Sequence, residues 1–115
     1  MKITLPAVKR DDNGQVTRYE VEFILDTSAY SEYRFKRYFK DDVKYNSLAE
    51  FASAVSTAKN PDLIEILQVM YCFLESDHAP TFKDFLKLFD YSIAGEILEK
   101  LTDVLNAAFS SATKN

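Results

Sequence analysis

The sequence predicts a single α+β domain, mostly α. A β-hairpin occupies residues 1–25, and about five helices over residues 26–110 pack around a central apolar helix. Three observations point to this class. Two period-two segments flank a turn signal near the N-terminus. The remainder shows helical spacing divided by capping residues. Residues 63–74 form a run apolar nearly all round, as the innermost helix of a small domain must be. At 115 residues, 47% hydrophobic and 28% charged, with two glycines and three prolines, the chain is long enough for one core and too sparsely punctuated for long loops.

In the hairpin, Ile3 and Leu5 alternate with polar residues, and Asp11-Asp12-Asn13-Gly14 supplies the turn. Beyond it Thr17, Tyr19, Val21 and Phe23 alternate with Arg18, Glu20 and Glu22, which predicts one apolar face and one wet face. A calcium loop would need more oxygen ligands at regular spacing and a closing Glu.

Asp26, Thr27 and Ser28 can each cap a helix over about 28–40. That helix contains SEYRFKRYFK, residues 31–40, in which four basic and four aromatic residues interleave. Single-stranded nucleic acid suits such a mixture, because aromatic faces stack bases and cations meet phosphates. Wound at 100° per residue, however, Phe35, Tyr38 and Phe39 fall on one side, and Lys36, Arg37 and Lys40 fall on the other with Tyr33. The segment therefore predicts core aromatics beneath a solvated basic ridge.

Ser47 with Glu50 makes a capping box before Leu48, Phe51, Ala52 and Val55. Asn60-Pro61 reads as the N-cap and first residue of the central helix. Within 63–74, Glu65 and Gln68 alone interrupt the apolar run, which spans ~18 Å as a helix and is too short for a bilayer. SDHAP, 76–80, ends it. Thr81 with Asp84 caps the next helix, striped with Phe82, Phe85, Leu86 and Phe89. Ser92 can cap the last, with Ile93, Ile97, Leu101, Val104, Leu105 and Ala108 on one side and Glu96, Glu99 and Asp103 opposite. The polar end, 111–115, should fray.

Charge and composition narrow the function. Net charge is −4, and it is uneven: residues 1–59 carry ten basic and nine acidic side chains, residues 60–115 four and nine. An acidic second half disfavours extended contact with nucleic acid. One cysteine, Cys72, fits a reducing compartment, and the N-terminus lacks a signal-peptide core, so a cytoplasmic protein is expected. The only histidine, His78, sits in an expected loop, and Cys72 sits in the most apolar helix, where a thiol is inert. With no glycine-rich phosphate loop and no ligand cluster, no catalytic, metal or cofactor residue is assigned, and the chain does not read as an enzyme.

Residues 60–110 combine a buried helix, PDLIEILQVMYCFLE, a short break, the segment APTFKDFLKLFD and a closing acidic amphipathic helix, YSIAGEILEKLTDVLNAAF. With the hairpin and the helix at 28–40 ahead of them, these patterns resemble the tail assembly chaperones of long-tailed bacteriophages over nearly the whole chain. The resemblance implies binding to the tape measure protein, help in recruiting tail tube protein, residence in the cytoplasm of the bacterial host and absence from the mature virion. In that family a frameshift often yields a longer product, and this chain would be the short form. Weak self-association is compatible, and no cofactor is implied. Candidate contact residues are Tyr33, Arg37 and Lys40 on the basic ridge, and Ile97, Leu101 and Leu105 on the last helix. The alternative is a small regulator that binds single-stranded nucleic acid through Tyr33, Arg34, Lys36, Arg37 and Lys40.

Overall fold

The computed structural model describes residues 1–109, so the tail at 111–115 lies outside the described residues. The expected class is found. Strands β1 (Lys2–Arg10) and β2 (Val16–Ile24) form an antiparallel hairpin, followed by α1 (Tyr30–Tyr38), α2 (Leu48–Thr57), α3 (Leu63–Cys72), α4 (Phe82–Leu86), a 3-10 turn (Tyr91–Ile93) and α5 (Ala94–Phe109).

The hairpin register pairs Lys2 with Ile24 and Arg10 with Val16. Its turn is held by Asp11, whose Oδ1 accepts from the amides of Asn13 and Gln15, while Gly14 takes φ = 78°, a conformation that favours glycine. Pro6 removes no ladder bond. It shares strand parity with Val8, whose amide points away from β2 and donates to Leu88 O at 2.8 Å.

The expected division into one apolar and one wet face fails at both ends of the hairpin. Leu5, Pro6, Ala7 and Val8 are all buried in succession, because both faces of β1 are covered there. On one face Phe23 meets Phe85 of α4 edge-on at 5.6 Å; on the other, Arg18 pairs with Glu96 of α5. Residues 9–20 are all exposed, including Thr17 and Tyr19 of the expected apolar face.

Helix starts follow local chemistry with three corrections. Ser47 Oγ accepts from Glu50 N and Thr81 Oγ1 from Asp84 N, as expected. The central helix starts later than expected. Asp62 caps it, its Oδ1 accepting from Ile64 N at 2.7 Å, so Asn60-Pro61 belongs to the approach. Asp90 rather than Ser92 starts the last helical segment, accepting from Ser92 N. The third correction shortens α1 to Tyr30–Tyr38: its N-cap position is Ala29, without a side-chain cap, in place of Asp26, Thr27 or Ser28, and Lys40 lies just beyond its end.

α3 is the hub. Eight of its ten residues are buried, and it contacts α1, α2, α4 and α5. The apolar run continues past its end through a turn at Phe73 to Leu74. Leu74 bridges to Leu25, Asp26 N donates to Phe73 O, and Glu75 N donates to Ile24 O, which ties the hairpin base to the hub. An aromatic seam links the layers: Phe39 to Phe82 at 4.8 Å, Phe82 to Tyr71 at 5.2 Å, Tyr71 to Phe85 at 5.4 Å, and Phe85 to Phe89 at 4.9 Å. Such edge-on and tilted contacts add to the apolar area buried by each ring. Among the described residues no helix is long and apolar enough to cross a membrane.

Candidate functional site

The basic-aromatic stretch lies on α1, and packing against α3 sorts its residues. Phe35 and Phe39 are buried at 0% and 3% exposure, while Tyr33, Lys36, Arg37 and Lys40 are exposed. At positions i and i+4 of α1, Tyr33 and Arg37 lie along one line of the surface, and Lys40 follows just beyond the helix end. Tyr30 extends that line, its ring stacked on Tyr33 at 5.4 Å. Lys36 faces Glu32 one turn back at 4.0 Å, whereas no ion pair among the described residues includes Arg37 or Lys40. Glu32 carries a second role: its carboxylate accepts from the Leu48 amide, the first turn of α2.

Two residues depart from the expected sorting. Tyr38, expected in the core, is half exposed and stands at the edge of Tyr71 at 6.4 Å. Arg34, grouped with the surface cations in the nucleic-acid reading, is 3% exposed. Its Nη2 donates to Tyr71 O at 3.1 Å, and its guanidinium carbon lies 4.7 Å from the Tyr71 ring centre and 5.5 Å from that of Tyr38. Arg34 therefore cannot meet a phosphate backbone at the surface. The available signal was its place on the wheel: with Ser31 and Tyr38, at i−3 and i+4, it flanks the apolar side rather than the basic one.

Arg34, Tyr38 and Tyr71 border a recess of about 320 Å³, closed by Ala79, Pro80, Thr81 and Phe82. The 76–80 loop is tied across it by the Tyr71 hydroxyl, which donates to Pro80 O at 2.5 Å.

The second candidate surface divides. Ile97 and Leu101 are 0% exposed, so these two belong to the core and offer nothing to a partner. Leu105 is half-buried and, with Asn106 and Phe109, faces Ala49, Ala52, Ser53 and Ser56 across a groove of about 300 Å³ between α5 and α2. The wheel placed all three on one side but could not say where along α5 its cover stops.

The groups with chemical potential are placed apart. Burial pushes the Cys72 thiol up to about 12, so it is neutral. His78 is exposed, with Nδ1 2.9 Å from Glu75 Oε1. Among the described residues no group of three or more His, Cys, Asp or Glu side chains could hold a metal ion. No protein-family model, no curated protein and no solved structure matches the chain.

Proposed function

We propose that this protein is a tail assembly chaperone of a long-tailed bacteriophage or prophage, which binds the tape measure protein and assists assembly of the tail tube in the bacterial cytoplasm without entering the virion. The sequence pattern over residues 60–110 motivates the proposal. The observation that carries it furthest is the ridge on α1. An acidic protein presents Tyr30, Tyr33, Arg37 and Lys40 together, with neither cation engaged by a carboxylate among the described residues. Aromatic and arginine side chains concentrate contact energy at protein interfaces, and cations suit acidic helices. The groove beside Leu105 offers an apolar complement for a helical client.

Co-expression with the long helical product of a neighbouring tail gene tests the reading. The client stays soluble and co-purifies; a client that does neither rejects the chaperone function. Arg37→Glu with Lys40→Glu keeps the fold and loses the client in a pull-down. Unchanged recovery removes the ridge from the contact. Weak self-association is read in the same preparation from sedimentation at rising concentration.

The stacked, exposed Tyr30–Tyr33 pair beside two cations also favours the second reading, a regulator that binds single-stranded nucleic acid. Micromolar binding to mixed oligonucleotides at low salt, weakening steeply as salt rises, would support that reading against the first.

A further inference from the structure

The Arg34 side chain is a buried cation with no carboxylate in contact; Asp26 feels its charge only through space. No ion pair among the described residues includes it, its Nε has no hydrogen-bond partner, and the hydrogen bond described for its guanidinium spends one donor of five on Tyr71 O. The faces of Tyr38 and Tyr71 and the more distant Asp26 carboxylate stabilise the charge in part, but removing a cation from water without a counter-charge in contact is unfavourable. The same guanidinium forms part of the wall of the 320 Å³ recess.

We propose that this recess binds a carboxylate carried by a peptide chain, either an acidic side chain or a chain terminus. A guanidinium in the wall of a cavity offers N–H donors that can match a carboxylate in a two-point contact. The remaining walls fit the rest of such a ligand. Ala79, Pro80 and Phe82 offer apolar surface to a short aliphatic stem, and the exposed Ser76 supplies a hydroxyl at the border. The number of charges selects the anion. Arg34 is the single cation among the lining residues, so one negative charge is neutralised where a phosphate dianion would leave an excess. The site is separate from the surface ridge of Tyr33, Arg37 and Lys40, and it does not depend on which protein carries the carboxylate.

The test uses the intact ¹⁵N-labelled protein and follows the Arg34 Nε–H resonance at constant ionic strength. The probes are N-acetylglutamate N-methylamide, its glutamine isostere, N-acetylalanine and inorganic phosphate. The glutamate compound or N-acetylalanine shifts the resonance saturably, and whichever binds tighter identifies side chain or terminus. The glutamine isostere binds about tenfold more weakly or worse, because it lacks the charge of the two-point contact. Arg34→Lys, which keeps the charge and loses the fork, weakens binding comparably, and so does Tyr38→Ala, a change at a half-exposed position. Should Arg34→Lys fail to fold, the isostere comparison on the unmodified protein still decides. An absent shift, an equal response to glutamate and glutamine compounds, or tighter binding of phosphate than of either carboxylate overturns the proposal.

Discussion

The guanidinium of Arg34 packs over the ring of Tyr71, 4.7 Å from its centre, and also donates through Nη2 to the Tyr71 carbonyl, joining α1 to α3 by one side chain. Arg34→Ala removes the ring contact, the hydrogen bond and the packing of the aliphatic stem together. Its expected loss is about 2 kcal/mol or more in urea unfolding. Arg37→Ala, one turn-face away, should stay within about 0.5 kcal/mol. Equal effects would mean that Arg34 is solvated in solution.

The other residues of α1 and the two that follow it should separate in the same way. Phe35→Ala and Phe39→Ala empty buried volume and should each cost about 3 kcal/mol or more. Lys36→Ala and Lys40→Ala should lie within about 0.5 kcal/mol, since both side chains are exposed. Thermal melts that fail to distinguish the two pairs would contradict the orientation of the helix.

The hub should be the least tolerant element. Leu67 and Val69 are 1% and 0% exposed, so Leu67→Asp or Val69→Asp places a carboxylate where nothing solvates it. A penalty of several kcal/mol approaches the whole stability of a small domain, and loss of the cooperative transition is expected. A near-native melting temperature in either variant would place α3 elsewhere.

Cys72 should resist thiol reagents in the native state. Its thiol is pushed up to about 12 by burial, and reaction requires the thiolate. Iodoacetamide labelling should therefore be slow at pH 8 and accelerate sharply in denaturant. The sign follows from the raised value. The neutral thiol is favoured in the fold, so its contribution to stability holds below the ordinary thiol range and declines as pH rises towards 12. Native labelling at the rate of a free thiol would show that the core opens there.

Acid should destabilise the fold through three carboxylates held below their ordinary values. Asp26 is lowered by its hydrogen bonds from Ser28, Asp90 by those from Ser92 and by Arg10, and Glu96 by Arg18. Each is more acidic folded than unfolded, so stability is full above the ordinary values of 3.8 and 4.5 and falls as pH drops through the folded ones. Glu96→Gln should flatten the decline of melting temperature below pH 4.5. High salt should weaken the exposed Arg18–Glu96 contribution while sparing the Asp26 and Asp90 turns. An unchanged acid slope in Glu96→Gln would show that the ion pair does not form in solution.

Several interactions that close within about four residues are legible in the sequence by itself, although the caps at Asp62 and Asp90 each lie two residues from the expected position. The Asp11–Gly14 turn, the caps at Ser47 and Thr81 and the apolar run starting at Leu63 all depend on near neighbours in the chain, so residue type and spacing determined them. So did the division of residues 35–40 into buried Phe35 and Phe39 against exposed Lys36, Arg37 and Lys40, because 100° per residue makes a face a property of the sequence. What covers a face is a property of the partner element, and only the tertiary structure decided it. Packing of α1 on α3 buried Arg34 and left Tyr38 half exposed, although both flank the same apolar side. Cover on both sides of β1 cancelled the alternation at Leu5–Val8, and its absence at residues 9–20 exposed Tyr19. Along α5, the core took Ile97 and Leu101 and released Leu105 towards the groove. Periodicity carries direction around an axis; it carries no information on which distant segment arrives there, and burial depends on that arrival.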